Sequence, residues 1–541
     1  MRGQGDLRAK EKRMDPFIKK RLASAEEMRE LDRSTIEEFG IPGEVLMESA
    51  GKGVFEYLED NYRYLQDALI VCGKGNNGGD GFVVGRYLLN RGVRVTAILL
   101  GRNKELKGDA RLNLERFLKL EGKVIEVTDE KQLTRLKRII EESELIIDAI
   151  FGTGLNSLVK GLPAKAIKLI NEAHFNFGIP VIAIDIPSGI NASTGEVMGE
   201  AVWADATITF GLAKLGHYTY PGADYVGDLK IVEIGIPARY CLDIETYLLD
   251  EEMATVFLKP RRADCHKGDN GHCVIFAGST GKTGAAAMAS ESALRAGAGL
   301  VTLAVPASLN DIFEIKLTEV MTEPIEDEEK KFGRKSISQA KKFMEGKDAI
   351  ALGPGIGSGK EMDEFVREIL VSASVPVVVD ADGLNSLARQ KSIFKEIKAP
   401  LVLTPHPGEM SRLTGISVAD VQKDRMGVAK KFAREWGAIV VLKGAGTVIA
   451  DPEGIAFLNR SGNPAMASAG MGDVLTGIIA GLLSQHYGPL EASALGVFMH
   501  GMAGDLATKE LGDAGIIATD VIRKIPAVRK SLLDMVFGLS E

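Results

Sequence analysis

The chain has 541 residues, of which 45% are hydrophobic and 26% charged, and its formal net charge is −8. This length exceeds what one hydrophobic core supports, so we expect at least two large domains. The acidic balance argues against a nucleic-acid partner, four cysteines in so long a chain do not make a disulfide framework, and without a run of about 18 apolar residues no membrane partner is expected.

The chain opens with a basic, polar amino-terminal arm, residues 1–23, which lacks the apolar core of a secretory signal. Together with the composition, this predicts a cytoplasmic protein. Ser24 and Glu27 have the spacing of a capping box, which predicts a helix that runs to about Phe39. A second helix is predicted over about residues 45–57.

A glycine-rich turn, Cys72–Gly81, follows the apolar run Ala68–Val71 and precedes a run with helical spacing, Phe82–Leu89. Such a turn lets backbone N–H groups approach an anion, and a helix N-terminus adds partial positive charge. The glycines at 73, 75 and 78 also satisfy the dinucleotide fingerprint. The sequence therefore predicts a cradle for a pyrophosphate, and an NADP-dependent oxidoreductase is one interpretation of it.

Strand-like and helical runs then alternate, which predicts a mostly parallel sheet with helices on both faces. The predicted strands are Val93–Leu99, Leu145–Ile150 and Val181–Asp185, and the predicted helices are Asp109–Leu120 and Ala164–Phe175. Ligands bind such folds at the carboxyl ends of the strands. Polar residues cluster there, at Asp148 with Gly152–Gly154 and at Asp185–Gly189.

The alternation restarts after about Asp250, so we predict two α/β domains, at residues 24–245 and 246–541. The strands predicted in the second are Cys273–Ala277, Leu300–Val305, Ala349–Leu352, Val375–Val379, Leu401–Leu403 and Ile439–Leu442. The turn at 278–283 is not a P-loop, because Phe276 occupies the position of the first glycine. Cys265-His266 and His272-Cys273 lack the usual zinc spacing, so we predict that Cys273 is a buried strand residue.

The strongest chemical signal is the turn Gly470-Met471-Gly472-Asp473, which leads into a helix of small residues. Backbone donors in such a turn can stabilise a transferring phosphoryl group, and Asp473 can accept a proton from a hydroxyl. A helix cap is the alternative role for Asp473. Lys443–Thr447 can hold a nucleotide. His406 with Glu409, and Asp380 with Asp382, follow predicted strands, although structural roles are the alternative for each pair.

Together these motifs make residues from about 260 onward resemble the ribokinase-like ADP/ATP-dependent NAD(P)HX dehydratases. The matching segments are Lys267–Gly271, Arg295–Val301, Gly353–Gly357, Asp380–Asn385, Thr404–Glu409, Lys443–Thr447 and Gly470–Asp473. Residues from about 24 to 239 resemble the NAD(P)HX epimerases through Gly73–Gly81, Asp148–Gly154 and Asp185–Gly189. The order is that of the fused bifunctional repair enzymes, which implies a Rossmann-like doubly wound domain followed by a ribokinase-like α/β domain.

The resemblance implies a repair reaction on hydrated nicotinamide dinucleotides. The first domain would interconvert the R and S epimers of NADHX and NADPHX. The second would phosphorylate the C6 hydroxyl of the S epimer with ADP, and loss of phosphate would restore NAD(P)H and leave AMP. Mg²⁺ would accompany the nucleotide, and a homo-oligomer is expected.

In the first domain the resemblance assigns the substrate pyrophosphate and ribose to two segments. They comprise Asn76, Asn77, Gly78, Gly79 and Asp80, and Gly152, Thr153, Gly154, Leu155, Asn156 and Ser157. Asn77, Asp148 and Ser188 would surround a potassium ion, and Asp185 would face the nicotinamide as acid or base.

In the second domain the resemblance assigns the nucleotide to Lys443, Gly444, Ala445, Gly446, Thr447 and Gly472. Four residues would contact NAD(P)HX, namely Ala298, Gly355, His406 and Asp473, and Asp473 would be the catalytic base.

Three other interpretations stay open on the sequence. A ribokinase-like small-molecule kinase could be fused to a nucleotide-binding domain, or the first domain could be a non-catalytic module. An NADP-dependent oxidoreductase would use Arg102, at the end of the second strand, for a 2′-phosphate. Asp80 inside the turn argues against that last possibility, because a carboxylate beside a pyrophosphate is unfavourable without a cation.

Overall fold

The computed structural model describes residues 17–539, so residues 1–16 of the predicted arm lie outside the described residues. The chain divides between Glu245 and Thr246 into two compact units. Each unit has a sheet of its own. Within residues 17–539, no helix combines the length and the apolar composition needed to cross a membrane.

The elements of the first unit alternate between strand and helix, as predicted. Its strands are β1 (Leu22–Ala23), β2 (Asp67–Cys72), β3 (Arg94–Leu100), β4 (Lys123–Val127), β5 (Ile146–Ala149), β6 (Val181–Ile184), β7 (Ala206–Phe210), β8 (Ala213–Lys214) and β9 (Asp228–Val232). Its α-helices are α1 (Ala25–Arg33), α2 (Gly43–Asn61), α3 (Asn76–Asn90), α4 (Gly108–Lys119), α5 (Glu130–Arg135), α6 (Lys137–Glu141) and α7 (Gly161–Phe177).

The main sheet of the first unit is parallel throughout, with the strand order β4-β3-β2-β5-β6-β7-β9. Alternate residues of β2 face opposite sides, as the period of two requires. Ile70 packs in the cluster that holds Phe82 and Phe117 from α3 and α4. Val71 packs on the other side with Ile167 from α7. Helices therefore cover both faces, which gives the predicted doubly wound fold.

The strand order reverses direction between β2 and β5. The chain leaves β2 towards β3 on one side of the sheet, whereas β5 continues towards β6 on the other. The loops that follow β2 and β5 therefore diverge and leave a crevice at the carboxyl edge, which is where such folds bind ligands. The glycine-rich turn and the segment from Phe151 onward border this crevice.

The segment before α2, residues 17–42, is part of the first unit. The capping box of Ser24 and Glu27 is present at the start of α1, and a π-helical turn continues from α1 to Phe39. β1 pairs with β8, and Arg21 donates to the carbonyl oxygen of Leu242 at 3.0 Å. Residues 21–23, predicted as part of the arm, are thus buried within the first unit.

The second unit holds the longer part of the alternation. Its strands are β10 (Thr246–Leu249), β11 (His272–Phe276), β12 (Leu300–Pro306), β13 (Met321–Ile325), β14 (Ala349–Leu352), β15 (Val377–Val379), β16 (Leu401–Leu403), β17 (Ile439–Leu442), β18 (Thr447–Ala450) and β19 (Ala456–Asn459). Its α-helices are α8 (Glu251–Phe257), α9 (Thr283–Arg295), α10 (Asn310–Lys316), α11 (Ser336–Met344), α12 (Lys360–Ser372), α13 (Asp382–Arg389), α14 (Pro407–Thr414), α15 (Val418–Lys423), α16 (Arg425–Trp436), α17 (Met471–Ser484), α18 (Pro489–Leu511) and α19 (Ala518–Val536).

One sheet organises the second unit, in the order β10-β19-β18-β17-β16-β15-β14-β11-β12-β13. Only β18 runs antiparallel to its neighbours among these strands. The carboxyl ends of β11, β14, β15, β16 and β17 therefore lie along one edge. Helices α9 and α17 pack closely at Gly477. A Cβ at this position would lie 2.0 Å from the carbonyl oxygen of Ala289, so only a glycine allows this approach.

The strands predicted from apolar runs are confirmed. The edge strands β4, β9 and β13 were not predicted, because partly exposed residues interrupt their apolar pattern. The mostly buried strands β7, β10, β18 and β19 and the two-residue strands β1 and β8 were also not predicted. Helix α3 begins at Asn76, so residues 76–81, predicted as part of the glycine-rich turn, already belong to the helix.

Candidate functional sites of the two units

The carboxyl edge of the first sheet borders a cavity of about 660 Å³. Its lining includes these predicted residues: Asn76, Asn77, Asp80, Gly152, Thr153, Gly154, Leu155, Asn156, Ser157 and Asp185. The structure thus brings together the start of α3, the segment after β5 and the aspartate after β6. A cavity of this size is typical of a small-molecule site.

Gly78 and Gly79 do not line this cavity. A Cβ on Gly78 would lie 2.2 Å from the carbonyl oxygen of Gly73, and one on Gly79 would lie 2.8 Å from the side chain of Met47. Both glycines instead let α3 pack closely against the turn and against α2. Their predicted contact with a substrate is therefore a backbone contact at most.

Asp148 and Ser188 lie behind the cavity wall, fully buried. The Ser188 hydroxyl donates to Asp148 Oδ1 at 2.6 Å, and the Ser188 backbone N–H donates to Oδ2 at 2.8 Å. Burial raises the pKa of Asp148 to about 6, although the hydrogen bonds from Ser188 oppose that shift. Within residues 17–539, no lysine or arginine forms an ion pair with this carboxylate.

Asn77 has a buried side chain whose two amide atoms find no hydrogen-bond partner among the described residues. Its Oδ1 would lie 3.3 Å from a Cβ on Gly152, so a larger residue there would crowd it. Leaving a buried amide unpaired costs about 1–3 kcal/mol, so a ligand or ion that contacts Asn77 would recover that free energy.

Asp185 has a left-handed backbone, with φ of 68°. Its Oδ1 forms an ion pair at 2.7 Å with the ammonium of Lys214, which is 1% exposed. Burial alone would raise the pKa of Asp185, but Lys214 outweighs it and holds that pKa below its usual value. Asp185 is therefore an ionised carboxylate at neutral pH.

The sequence did not point to Lys214, His217 or Asp32. Lys214 and Asp32 line the same cavity, and His217 lies within 2.9 Å of the Asp185 carbonyl oxygen through Nε2. The signal that could have found Lys214 is a lone cation inside the apolar run from Phe210 to Leu215. Burial raises the pKa of Asp32 to about 6 and that of Asp80 well above its usual value.

In the second unit, carboxylates surround Lys443 at the edge of the sheet. Its ammonium lies 2.7 Å from Asp380 Oδ1 and 3.9 Å from Glu409 Oε2. The other Asp380 oxygen accepts from the Thr476 hydroxyl at 2.8 Å. Asp380 is 1% exposed and thus not part of a solvated turn, and no sequence pattern pointed to Thr476.

Asp473 is the third residue of α17 and makes no capping hydrogen bond, so the alternative role predicted for it is wrong. Burial, and then the nearby Asp380 carboxylate, raise the pKa of Asp473 to about 6, while Lys443 lowers it. A Cβ on Gly472 would lie 3.3 Å from the Lys443 ammonium. The glycine therefore leaves space between that ammonium and the start of α17.

His406 is bound to the start of α14. Its Nδ1 accepts from the Gly408 N–H at 3.0 Å, and Glu409 caps the same turn from the other direction. Burial, followed by the charge of Lys443, lowers the pKa of His406. Its ring is neutral with Nδ1 occupied as an acceptor, so Nε2 carries the proton and lies 3.4 Å from Glu409 Oε1.

The turn after β11 meets the turn after β14 at the same edge. The Ser279 hydroxyl donates to the carbonyl oxygen of Gly355 at 2.7 Å, and Lys282 pairs with Asp382 at 2.8 Å. The segment 443–446 joins β17 to β18 as a hairpin turn. Its carbonyl at Gly446 accepts from the buried Arg425.

Ala298 is not brought to this edge. It lies two residues before β12, whose first residue pairs with His272 at the start of β11. Because β11 and β12 are parallel, Ala298 lies at the amino edge of the sheet, opposite the carboxyl edge where Asp473 and Lys443 meet. The fold does not support the predicted substrate contact of Ala298.

Two family models match the chain. The model described as "NAD(P)H-hydrate dehydratase" matches residues 273–527, and the model described as "YjeF-related protein N-terminus" matches residues 43–216. Each match lies within one of the two compact units.

Curated relatives match over almost the whole chain. The bifunctional NAD(P)H-hydrate repair enzyme Nnr of Moorella thermoacetica is 44% identical over 94% of this chain and 97% of its own length. The enzyme of the same name from Thermofilum pendens is 40% identical over 95% and 97%, and that of Escherichia coli is 34% identical over 93% of each chain.

Among solved structures, the chain is similar to the ADP/ATP-dependent NAD(P)H-hydrate dehydratase from Bacillus subtilis, co-crystallised with ATP and Mg²⁺. The identity is 33%, and the match covers 53% of this chain and 98% of that one, with a TM-score of 0.48.

We predict that Gly78→Ala destabilises the first unit, whereas Gly75→Ala does not. The added methyl group at 78 meets the Gly73 carbonyl, while no heavy atom lies within 4 Å of a Cβ at 75. The expected loss in free energy of unfolding is about 1–3 kcal/mol. Urea unfolding in a Trp436→Phe background measures it, because Trp203 then reports on the first unit alone. Equal midpoints for the two variants would contradict the geometry.

Proposed function

Because the chain belongs to the family of bifunctional NAD(P)H-hydrate repair enzymes, we propose that each unit carries one of the two activities of that family. The first unit is the epimerase for R- and S-NAD(P)HX, and the second is the ADP-dependent dehydratase that returns the S form to NAD(P)H. The observation that carries this proposal is that the predicted site residues of each unit, except Ala298, lie at or next to the carboxyl edge of that unit's sheet.

In the epimerase unit, we propose that the damaged dinucleotide occupies the cavity at the carboxyl edge. The first turn of α3 and residues 152–157 would hold its pyrophosphate and ribose, since helix N-termini and glycine-rich segments offer backbone donors to anions. Asp185 would face the hydrated nicotinamide as the acid or base. Its ionised state supports the role of proton acceptor.

Three oxygen-bearing side chains fit a potassium ion next to this cavity. Asn77 offers an unpaired amide oxygen, and Asp148 is a buried carboxylate without a cationic partner. The Ser188 hydroxyl offers a third oxygen ligand, and oxygen ligands suit a hard cation. When bound, the ion would supply the positive charge that lets the buried Asp148 stay ionised near a pyrophosphate.

In the dehydratase unit, we propose that Lys443, Gly444, Ala445, Gly446, Thr447 and Gly472 hold the nucleotide. The ammonium of Lys443 and the backbone N–H groups at the start of α17 would face its phosphates. Gly355, His406 and Asp473 would contact NAD(P)HX. The neutral His406 can donate from Nε2, and Asp473 can accept the proton of the C6 hydroxyl.

The charges of this site fit a divalent cation with the nucleotide. Asp380, Glu409 and Asp473 place three carboxylates around one ammonium, that of Lys443. Mg²⁺, bound between the nucleotide phosphates, would supply the missing positive charge during phosphoryl transfer. Asp473 would remove the hydroxyl proton, and Lys443 would stabilise the phosphoryl oxygens.

We also propose a cytoplasmic homo-oligomer. All four cysteines are free thiols, as expected in a reducing compartment. Exposed apolar side chains on the first unit, Phe175 and Phe177 among them, offer surface for contact between copies.

The dehydratase assignment predicts that Asp473→Asn loses S-form repair. A mixture of chemically hydrated NADH epimers with ADP and Mg²⁺ should regain the absorbance of reduced nicotinamide, and the variant should slow this about 100- to 10,000-fold. In the native chain the rate should fall as the pH drops through about 6, because Asp473 then becomes protonated. Asp513→Asn, an exposed change in the same unit, is the control. Native rates in Asp473→Asn would refute its role as base.

The epimerase assignment predicts a selective defect in Asp185→Asn. The variant should repair the S form at the native rate and leave the R form behind, because only the first unit would be affected. Chromatographic separation of the two epimers during the assay measures this. Asp60→Asn, exposed on α2, should behave as the native chain. Full consumption of the R form by Asp185→Asn would rule out an essential role for this carboxylate.

The cation assignment predicts that K⁺ stabilises the first unit. Melting of the full chain should occur at a higher temperature in potassium chloride than in tetramethylammonium chloride of equal ionic strength, because the ion binds only the folded unit. The difference should vanish in Asp148→Asn. An equal K⁺ effect in that variant would place the ion elsewhere.

A further inference from the structure

Lys214 is a buried cation whose ammonium is fully hydrogen-bonded within the first unit. Its ammonium donates to Asp185 Oδ1 and to Thr209 Oγ1, each at 2.7 Å, and to the Phe210 carbonyl oxygen at 3.0 Å. These three bonds use all three donors of the ammonium. A buried lysine without such partners would be unstable as a cation, so the network fixes both its charge and its position.

The two oxygens of Asp185 have different surroundings. Oδ1 accepts from Lys214 and, at 3.2 Å, from the Thr209 hydroxyl. Oδ2 accepts at 3.2 Å from the Thr153 N–H, in the segment that lines the cavity. A Cβ on Gly152 would lie 3.0 Å from Oδ2, so the glycine keeps that oxygen accessible. Oδ2 is therefore the oxygen that can meet a substrate.

His217 connects the backbones of the two partners. Its Nδ1 accepts from the Lys214 N–H at 3.0 Å, and its Nε2 lies 2.9 Å from the Asp185 carbonyl oxygen. Burial, and then the charge of Lys214, lower the pKa of His217 to about 3, so the ring is neutral. With Nδ1 as the acceptor, Nε2 donates to Asp185 and helps to hold its left-handed backbone.

Other carboxyl groups lie near Asp185, and Lys214 is the lysine that forms an ion pair with it. Asp32 on α1 and Asp80 on α3 place carboxyl groups in the same cavity, and Asp148 lies on the neighbouring strand β5. Two further cations, Arg29 and Lys74, line the cavity, but both are exposed and Lys74 pairs with Glu105. Neither makes a described contact with Asp185. Loss of Lys214 would thus leave the buried Asp185 carboxylate among other carboxyl groups and without its contacting cation.

We propose that Lys214 is a positioning residue of the epimerase site, which holds Asp185 as an ionised carboxylate with Oδ2 directed to the substrate. This inference rests on the proposed epimerase function. It explains why a carboxylate buried near three other aspartates stays ionised at neutral pH and is therefore free to accept a proton. Lys214 itself touches no reacting atom in this scheme, because its donors are all committed to protein acceptors.

The test compares Lys214→Met with the native full-length chain. Conversion of the R epimer to the S epimer is followed by chromatography without nucleotide, and kcat and KM are measured across pH. We expect the acid limb of kcat to move upward by at least about one pH unit, because burial without the cation raises a carboxyl pKa. Activity should recover at alkaline pH, and KM should change little.

A purely structural role for Lys214 gives a different result. It would lower kcat equally at all pH values, with no movement of the limb, and that outcome would overturn the proposal. Dehydration of the S epimer by the second unit and the melting profile report whether the variant is folded. Lys168→Met, which removes an exposed lysine paired with Glu200, should leave the limb where it is.

Two measurements keep the proposal open to refutation if Lys214→Met does not fold. Thr209→Val keeps Lys214 but removes one of its acceptors and one donor to Asp185, so a smaller upward movement of the limb is expected. The ¹³C resonance of the Asp185 carboxyl, assigned by its loss in Asp185→Asn, should titrate at higher pH in Thr209→Val or Lys214→Met. An unchanged titration overturns the positioning role. A native chain that does not epimerise the R form overturns only the proposed function.

Discussion

Buried carboxylates that need a counter-charge govern both sites. In the first unit Lys214 supplies it to Asp185, whereas Asp148 receives only hydrogen bonds. In the second unit Lys443 pairs with Asp380, which leaves Glu409 and Asp473 with less cationic charge than they need. A carboxylate removed from water must bind a proton or a cation. The fixed lysines therefore decide which carboxylates stay ionised, and the others depend on a proton or a metal ion.

In each unit a glycine lies next to a charged group of the site and leaves that group accessible. Gly152 stands beside Asp185 Oδ2, and Gly472 stands beside the Lys443 ammonium, each at a distance where a methyl group would crowd the charged atom. A side chain at either position would shield the charge from a ligand. The motif glycines therefore have two different roles. Gly78 allows close packing of α3 against the preceding turn, and Gly152 leaves Asp185 Oδ2 accessible to a ligand.

The sequence predicts more of the fold than of the site. Buried central strands such as β2 and β14 are continuous apolar runs, so their positions follow from the sequence alone. The aspartate near the end of β5 and those directly after β6 and β15 follow in turn, because parallel strands bring their carboxyl ends to one edge. The apolar run around Lys214 marks a lone buried cation but does not identify its partner, because the ion pair joins it to a residue 29 positions earlier in the chain. The position of Ala298 also follows from the sequence, because it precedes the predicted strand Leu300–Val305 and so lies at the amino end of that strand.

The amino-terminal segment matters to the first site for a related reason. The family model begins at residue 43, yet β1 pairs with the strand that carries Lys214, and α1 contributes Asp32 to the cavity. The pairing of β1 with β8 helps to fix the position of Lys214, the cation that contacts Asp185. Helix α1 adds the carboxyl group of Asp32 to the cavity. The pairing of Leu22 and Ala23 with Ala213 and Lys214 joins the start of the domain to its later strands. An epimerase unit that began at residue 43 would lack this support, so the electrostatic state of Asp185 depends on residues outside the matched segment.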